Sequence, residues 1–139
     1  MTGFIEVPDM AKKPRKIIYE NQEKIHEKIV DFVNSKIRNV NEAYLTGSVA
    51  RREFGRYVEK YRGEDGSDID VVVFIPKNEI PKSWKDLKTT RIWWDLYSGG
   101  RIEINGIEHR LDLLVVHEGK EEHAKNRLKE LGWKLERLK

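Results

Sequence analysis

Apolar positions recur along this chain in two rhythms. Between Pro14 and about Asn39 they fall three, four and seven residues apart, at Ile18, Ile25, Ile29, Phe32, Val33 and Ile37. That spacing builds one apolar stripe and predicts a helix. Pro14 suits its first turn, and Asn39 or Asn41 its exit. This helix is expected to serve as scaffold, packed on a sheet. From Val40 the rhythm shortens. Val40–Thr46 reads as a first strand ending in the turn Gly47-Ser48, and Val49–Tyr57 is expected to open a short helix with Ser48 near its N-cap. After a loop at Gly63–Gly66, Ser67-Asp68-Ile69-Asp70 runs straight into Val71-Val72-Val73-Phe74-Ile75. An apolar run so rich in β-branched residues predicts a buried strand, Ile69–Ile75.

The second half is less uniform. Trp84–Tyr97 reads as a helix, since Leu87, Arg91 and Trp94 can share a face, although Ile92, Trp93 and Trp94 would also suit a strand. Ser98-Gly99-Gly100 is expected to break it. Arg101–Val116 reads as a hairpin: Ile102 and Ile104 alternate, Asn105-Gly106 is a strong type I′ turn signal, and Ile107 starts the return strand. Period two places Arg110, Asp112 and Leu114 on one face of that strand. The tail is helix-prone around Ala124, Leu128 and Leu131, with Gly132 as a break. These elements predict one α/β (α+β) domain, a mixed sheet flanked by helices over residues 1–139, with an arm at 1–13 and a core at 40–116.

Composition narrows the picture modestly. The 139 residues suffice for one compact domain with a real core. Charged residues make up 37%, but Lys+Arg 27 against Asp+Glu 24 leaves a net charge of only +3, which is compatible with polyanionic substrates and establishes nothing more. The absence of cysteine excludes disulfides and thiolate metal sites. The opening residues lack a long apolar run, so no secretory signal is read there, no later segment reads as a membrane span, and a cytoplasmic protein is the expectation. Abundant Lys, Glu, Arg and Ile without Cys is a tendency of thermophilic proteins.

The chemistry concentrates at the start of the apolar strand. Side chains alternate along a strand, so Asp68 and Asp70 share a face. Two adjacent carboxylates repel one another, and a divalent cation relieves that conflict. Leu111-Asp112-Leu113 places another acid between buried apolar neighbours, where it is disfavoured unless paired or metal-bound. Each feature alone has a bland alternative: solvated acids leading into a strand, or a common Gly-Ser turn. Their order is the informative part.

Gly47-Ser48 followed by Asp68-x-Asp70 and a later acid, Asp112, resembles the signature of the DNA polymerase beta-like nucleotidyltransferase superfamily. Gly47-Ser48-Val49-Ala50-Arg51-Arg52-Glu53 is closest to the wording of the minimal nucleotidyltransferases. The segment between Ser48 and Asp68 is longer than that family usually carries, with the surplus in Phe54–Gly66. The resemblance implies a nucleotidyltransferase fold and transfer of a nucleoside monophosphate from a nucleoside triphosphate, ATP above all, to an acceptor hydroxyl. It implies Asp68, Asp70 and Asp112 as catalytic residues holding two Mg²⁺ ions. It also implies Gly47, Ser48 and Arg51 as nucleotide-binding residues, with Arg52 a further candidate; solvent-facing helix arginines are the alternative for both. Minimal nucleotidyltransferases often pair with a HEPN-type protein in toxin–antitoxin modules. An antitoxin-like binding partner and a basic nucleic-acid-binding module without turnover therefore stand as alternatives, with a partner protein or RNA as candidate acceptors. An oligomer or hetero-complex is expected, with an exposed aromatic among Trp84, Trp93, Trp94 and Tyr97 at its interface. His26, His109, His117 and His123 show no metal-ligand spacing and are expected to be structural or exposed.

Overall fold

The computed structural model describes residues 13–139. The expected arm therefore lies outside the described residues, apart from Lys13. The chain is a mixed α+β structure in which sheet dominates. In order it forms β1 (Lys16–Ile18), α1 (Gln22–Lys36), β2 (Glu42–Thr46), α2 (Gly47–Ala50), β3 (Gly55–Tyr61), β4 (Glu64–Gly66), β5 (Ile69–Phe74), a 3₁₀ turn at Lys77–Glu79, β6 (Lys85–Thr90), β7 (Trp94–Ile104), β8 (Ile107–Val116), α3 (Glu121–Glu130) and β9 (Glu136–Arg137).

The main sheet has strand order β6-β7-β8-β5-β2-β9. Among the described residues β5 and β8 run parallel and the other pairings of this sheet are antiparallel. The apolar stripe of α1 covers one face, where Ile25, Ile29, Val33 and Ile37 pack with Leu45, Val71, Val73, Leu111 and Leu113. On the other face, Ala124 and Leu128 of α3 pack on Val72, Phe74, Leu114 and Val116. A second sheet, β1-β3-β4, stands beside β8. No helix among the described residues is long and apolar enough to cross a membrane.

Several expected elements are corrected. The first helix does not start at Pro14: residues 16–18 form a strand instead, and Ile17 and Ile18 are half exposed rather than part of the stripe. β1 pairs with Gly55–Tyr57, and Asn21, at φ 60, breaks the chain before α1 begins. The amide of Gln22 ties the two together, donating to the Tyr19 and Phe54 carbonyls and accepting from the Phe54 N–H. The helix expected over Val49–Tyr57 lasts a single turn, its N-cap position is Thr46 rather than Ser48, and Gly55 then starts β3. The Gly63–Gly66 loop is the turn and return strand of a hairpin, with Arg62 and Gly63 both at positive φ as a type I′ turn requires.

Trp84–Tyr97 is sheet, not helix. β6 and the start of β7 pair antiparallel, so the β-branched and aromatic residues there find cross-strand partners that a helical spacing could not disclose. Ser98-Gly99-Gly100 does not end the element; the register shifts there within one long strand. Gly99 packs closely at that shift: a Cβ would come within 2.7 Å of a Leu111 side-chain methyl, which would have to move. Arg101–Ile104 is the far end of β7, and Asn105 (φ 53) with Gly106 (φ 81) forms the expected hairpin turn. Trp93 and Trp94 both pack on the α3 side, because Trp93 precedes the strand rather than alternating within it.

Candidate functional site

The sheet face that carries α3 is apolar at one end and acidic at the other. Thr46 pairs with Asp70 across β2 and β5, and Asp70 with Asp112 across β5 and β8. In-register neighbours point the same way, so these three side chains share one face. Asp68, just before β5, joins them. Together they line a cleft of about 530 Å³, with Gly47, Ser48 and Arg51 on one side and Lys13, Lys16, Tyr57, Tyr61 and Arg62 on another.

Local sequence builds this arrangement closely. Gly47 sits at φ +73, and a Cβ on it would lie 2.8 Å from an Asp70 carboxylate oxygen, so only glycine lets the turn pass the acid. Asp68 is fixed through its neighbour. The Ser67 hydroxyl donates to the Gly55 carbonyl at 2.8 Å, and the Ser67 carbonyl accepts from His109 Nδ1 at 2.7 Å. A carbonyl can only accept, so Nδ1 carries the proton and His109 Nε2 accepts from the Tyr19 hydroxyl at 2.9 Å. The ring is fully buried against Phe54, and burial holds its pKa below the usual value. Histidine was expected to be structural or exposed; His109 is structural, and what it holds is the approach to the acids.

The acids are electrostatically crowded. Burial, and then the charge of Asp112, push the Asp70 carboxyl up to about 7. Asp68 is raised by burial and then by the charges of Asp112 and Asp70. Asp112 is buried and held by Arg110, whose Nε donates at 2.6 Å and whose second contact is 3.1 Å. Across the cleft, burial and then the charges of Lys13 and Arg51 lower the pKa of Lys16. Burial and the charge of Asp68 push the Tyr57 hydroxyl up to about 12. Acids and cations thus share one cleft, with Asp112 paired to Arg110 and Arg51 lying 3.3 Å from Glu53, while Asp68 and Asp70 have no ion-pair partner among the described residues.

Carboxylate oxygens are the donors a hard divalent cation such as Mg²⁺ prefers; burial first, and then neighbouring carboxylate charge, raises Asp68 and Asp70. Among the described residues no group of three His, Cys, Asp or Glu is arranged to hold a metal ion. Arg110 already holds the carboxylate of Asp112. The donor set fits Mg²⁺ chemically, with Arg110 as the competing cation.

All six expected site residues, Gly47, Ser48, Arg51, Asp68, Asp70 and Asp112, line the one cleft. The structure separates the adjacent arginines. Arg51 stays at the cleft, whereas Arg52, at φ 61, turns away to Glu23 at 2.7 Å and Glu136 at 3.5 Å. Sequence reasoning missed Lys13, Lys16, the Tyr57–Tyr61 pair, Arg62 and Trp133 as cleft residues. It placed Arg110 on the face of Asp112 without making it a partner. The aromatics expected at an interface are not exposed: Trp84 and Trp93 are buried, and Trp94 and Tyr97 half-buried. Trp133, at 41% exposure, is the more open tryptophan. No protein-family model matches the chain, and the search of curated proteins gives no significant match.

Proposed function

We propose that this protein is a nucleotidyltransferase of the DNA polymerase beta-like kind, with a nucleoside triphosphate as donor and a hydroxyl as acceptor. The observation that carries the reading is the convergence of Asp68, Asp70 and Asp112 with the Gly47-Ser48 turn in one cleft, although 42 residues separate Asp70 from Asp112. Cations lining the same cleft as the acids suit a polyphosphate, whose charge Lys13, Lys16 and Arg51 would meet. When bound at Asp68, Asp70 and Asp112, Mg²⁺ would supply charge neutralisation and activate the acceptor hydroxyl.

The residues divide the work. Gly47 leaves room for phosphate oxygens beside Asp70. Arg51, Lys16 and Lys13 neutralise the triphosphate and then the departing pyrophosphate. The acceptor oxygen bonds to the α-phosphorus as the bond from that phosphorus to the bridging oxygen breaks. The acceptor proton goes to a carboxylate oxygen of Asp112. Arg110 orients Asp112 throughout.

One observation favours a second reading. Arg110 already neutralises Asp112, the acid that would assist attack, and this suits a nucleotide-binding regulatory partner without turnover. The two are told apart by incubating the protein with each labelled nucleoside triphosphate, Mg²⁺ and a matched cell extract. Transfer of label with release of pyrophosphate, lost in Asp70→Asn, is the expected result. Tight nucleotide binding with no transfer from any of the four triphosphates would leave the regulatory reading.

A further inference from the structure

The sheet face beside the acids is not fully covered. α3 lies over Val72, Phe74 and Val116, while Leu96 and Leu114 also line the cleft, with Trp94 and Trp133 beside them. Leu114 is two residues beyond Asp112 on the same face, about 7 Å along the strand. That matches the span from a nucleotide's phosphate to its base. We infer that Trp133 is the stacking residue for the nucleobase of the bound nucleotide, over a floor made by Leu96 and Leu114. The inference rests on the nucleotidyltransferase reading and adds to it the residue that grips the donor's base.

Two independent anchors hold Trp133 in place. At the end of α3, Gly132 takes φ +69, its N–H donates to the Lys129 carbonyl at 3.1 Å, and the Trp133 N–H donates to the Leu128 carbonyl at 3.3 Å. This is a Schellman cap, which fixes the direction in which the chain leaves the helix. One residue later, the Thr46 hydroxyl donates to the Lys134 carbonyl at 2.9 Å, pinning the segment to the residue before Gly47. A large aromatic side chain left 41% exposed between two such anchors, on the rim of a cationic cleft, offers a rigid stacking surface. The lining there is apolar, so it grips a planar ring without reading its hydrogen-bonding edge.

The test compares two probes by calorimetry, with Mg²⁺ present: a non-hydrolysable ATP analogue, and inorganic tripolyphosphate, which has the phosphates but no base. Trp133→Ala should weaken the nucleotide by about tenfold, the scale of losing one base–aromatic stack, and leave tripolyphosphate unchanged. Trp133→Phe should restore most of the loss. Unchanged nucleotide affinity in Trp133→Ala, or an equal loss for both probes, overturns the role of Trp133 while leaving the proposed function standing. Failure of the wild-type protein to bind either probe removes the proposed function and this inference with it.

Discussion

Two halves of the same sheet face behave as opposites. Val72, Phe74 and Val116, packed under α3, are buried among apolar neighbours and need nothing more. Further back along the same strands stand Asp70 and Asp112, equally in register; Arg110 pairs with Asp112, while Asp70 is left crowded by the Asp112 charge. Backbone pairing is identical in both halves, so the pairing cannot be what distinguishes them. The apolar half stabilises the fold, and the acidic half is held in place by it. A site of crowded carboxylates can persist only because the neighbouring positions contribute a surplus.

That contrast can be broken most severely at the acids. Asp70→Asn keeps shape but removes a charge, and transfer should fall by about a hundredfold or more in single-turnover assays. Asp112→Asn should lose transfer on a similar scale, yet retain Mg²⁺-dependent nucleotide binding by calorimetry. Wild-type transfer by either folded variant would take that acid out of the chemistry. The apolar half should respond in the other currency, stability. Leu128→Ala empties a nearly fully buried position and should cost about 3 kcal/mol in urea unfolding. A loss well under 1 kcal/mol would mean that α3 does little to hold the face.

The junction comes next in size. Gly47→Ala forces a side chain into a left-handed backbone and toward Asp70, and should cost about 1–2 kcal/mol while also impairing nucleotide binding. The smallest effect is a gain. In metal-free protein the folded Asp70 carboxyl titrates near 7, against an ordinary value of 3.8 when unfolded. The folded state therefore holds extra protons between those values, and stability from this group is present at low pH and lost as pH rises toward 7 and beyond. Asp70→Asn should flatten that decline and raise the melting temperature at pH 8 by about 3 °C in EDTA. No gain at pH 8 would show that the acids are better neutralised than their surroundings imply.

The sequence disclosed the site better than the frame around it. Asp68 and Asp70 lead into an unbroken β-branched run and Asp112 interrupts one, so their strands, and the common face of Asp68 and Asp70, follow from period two; that Asp112 joins that face depends on the register of β5 with β8. The α1 stripe from Ile25 to Ile37 and the Asn105-Gly106 turn were equally legible. What failed was pairing at a distance. Nothing near Lys16–Ile18 announces that Gly55–Tyr57 will lie beside it, and Trp84–Tyr97 satisfied a helical spacing until β7 supplied partners. His109 did leave a signal: it alternates with Ile107, Leu111 and Leu113, which puts it on the buried face of β8. Trp133 left none, because its position depends on a helix cap and on one hydroxyl from Thr46.

The parallel pairing of β5 with β8 also sets the order in which this molecule can assemble. Parallel neighbours cannot be joined by a tight turn, and here the connection is the whole of β6 and β7. The β7–β8 hairpin closes locally through Asn105-Gly106, whereas its union with β5 must close a loop of some forty residues. Contacts of such sequence separation form late in folding. During synthesis, Asp70 can pair with Thr46 once β5 has emerged, but it has no neighbour on its other side until β8 follows. A nascent or truncated chain ending within β7 would carry two of the three acids and no cleft, so the chemistry becomes available only once the central strand is in place.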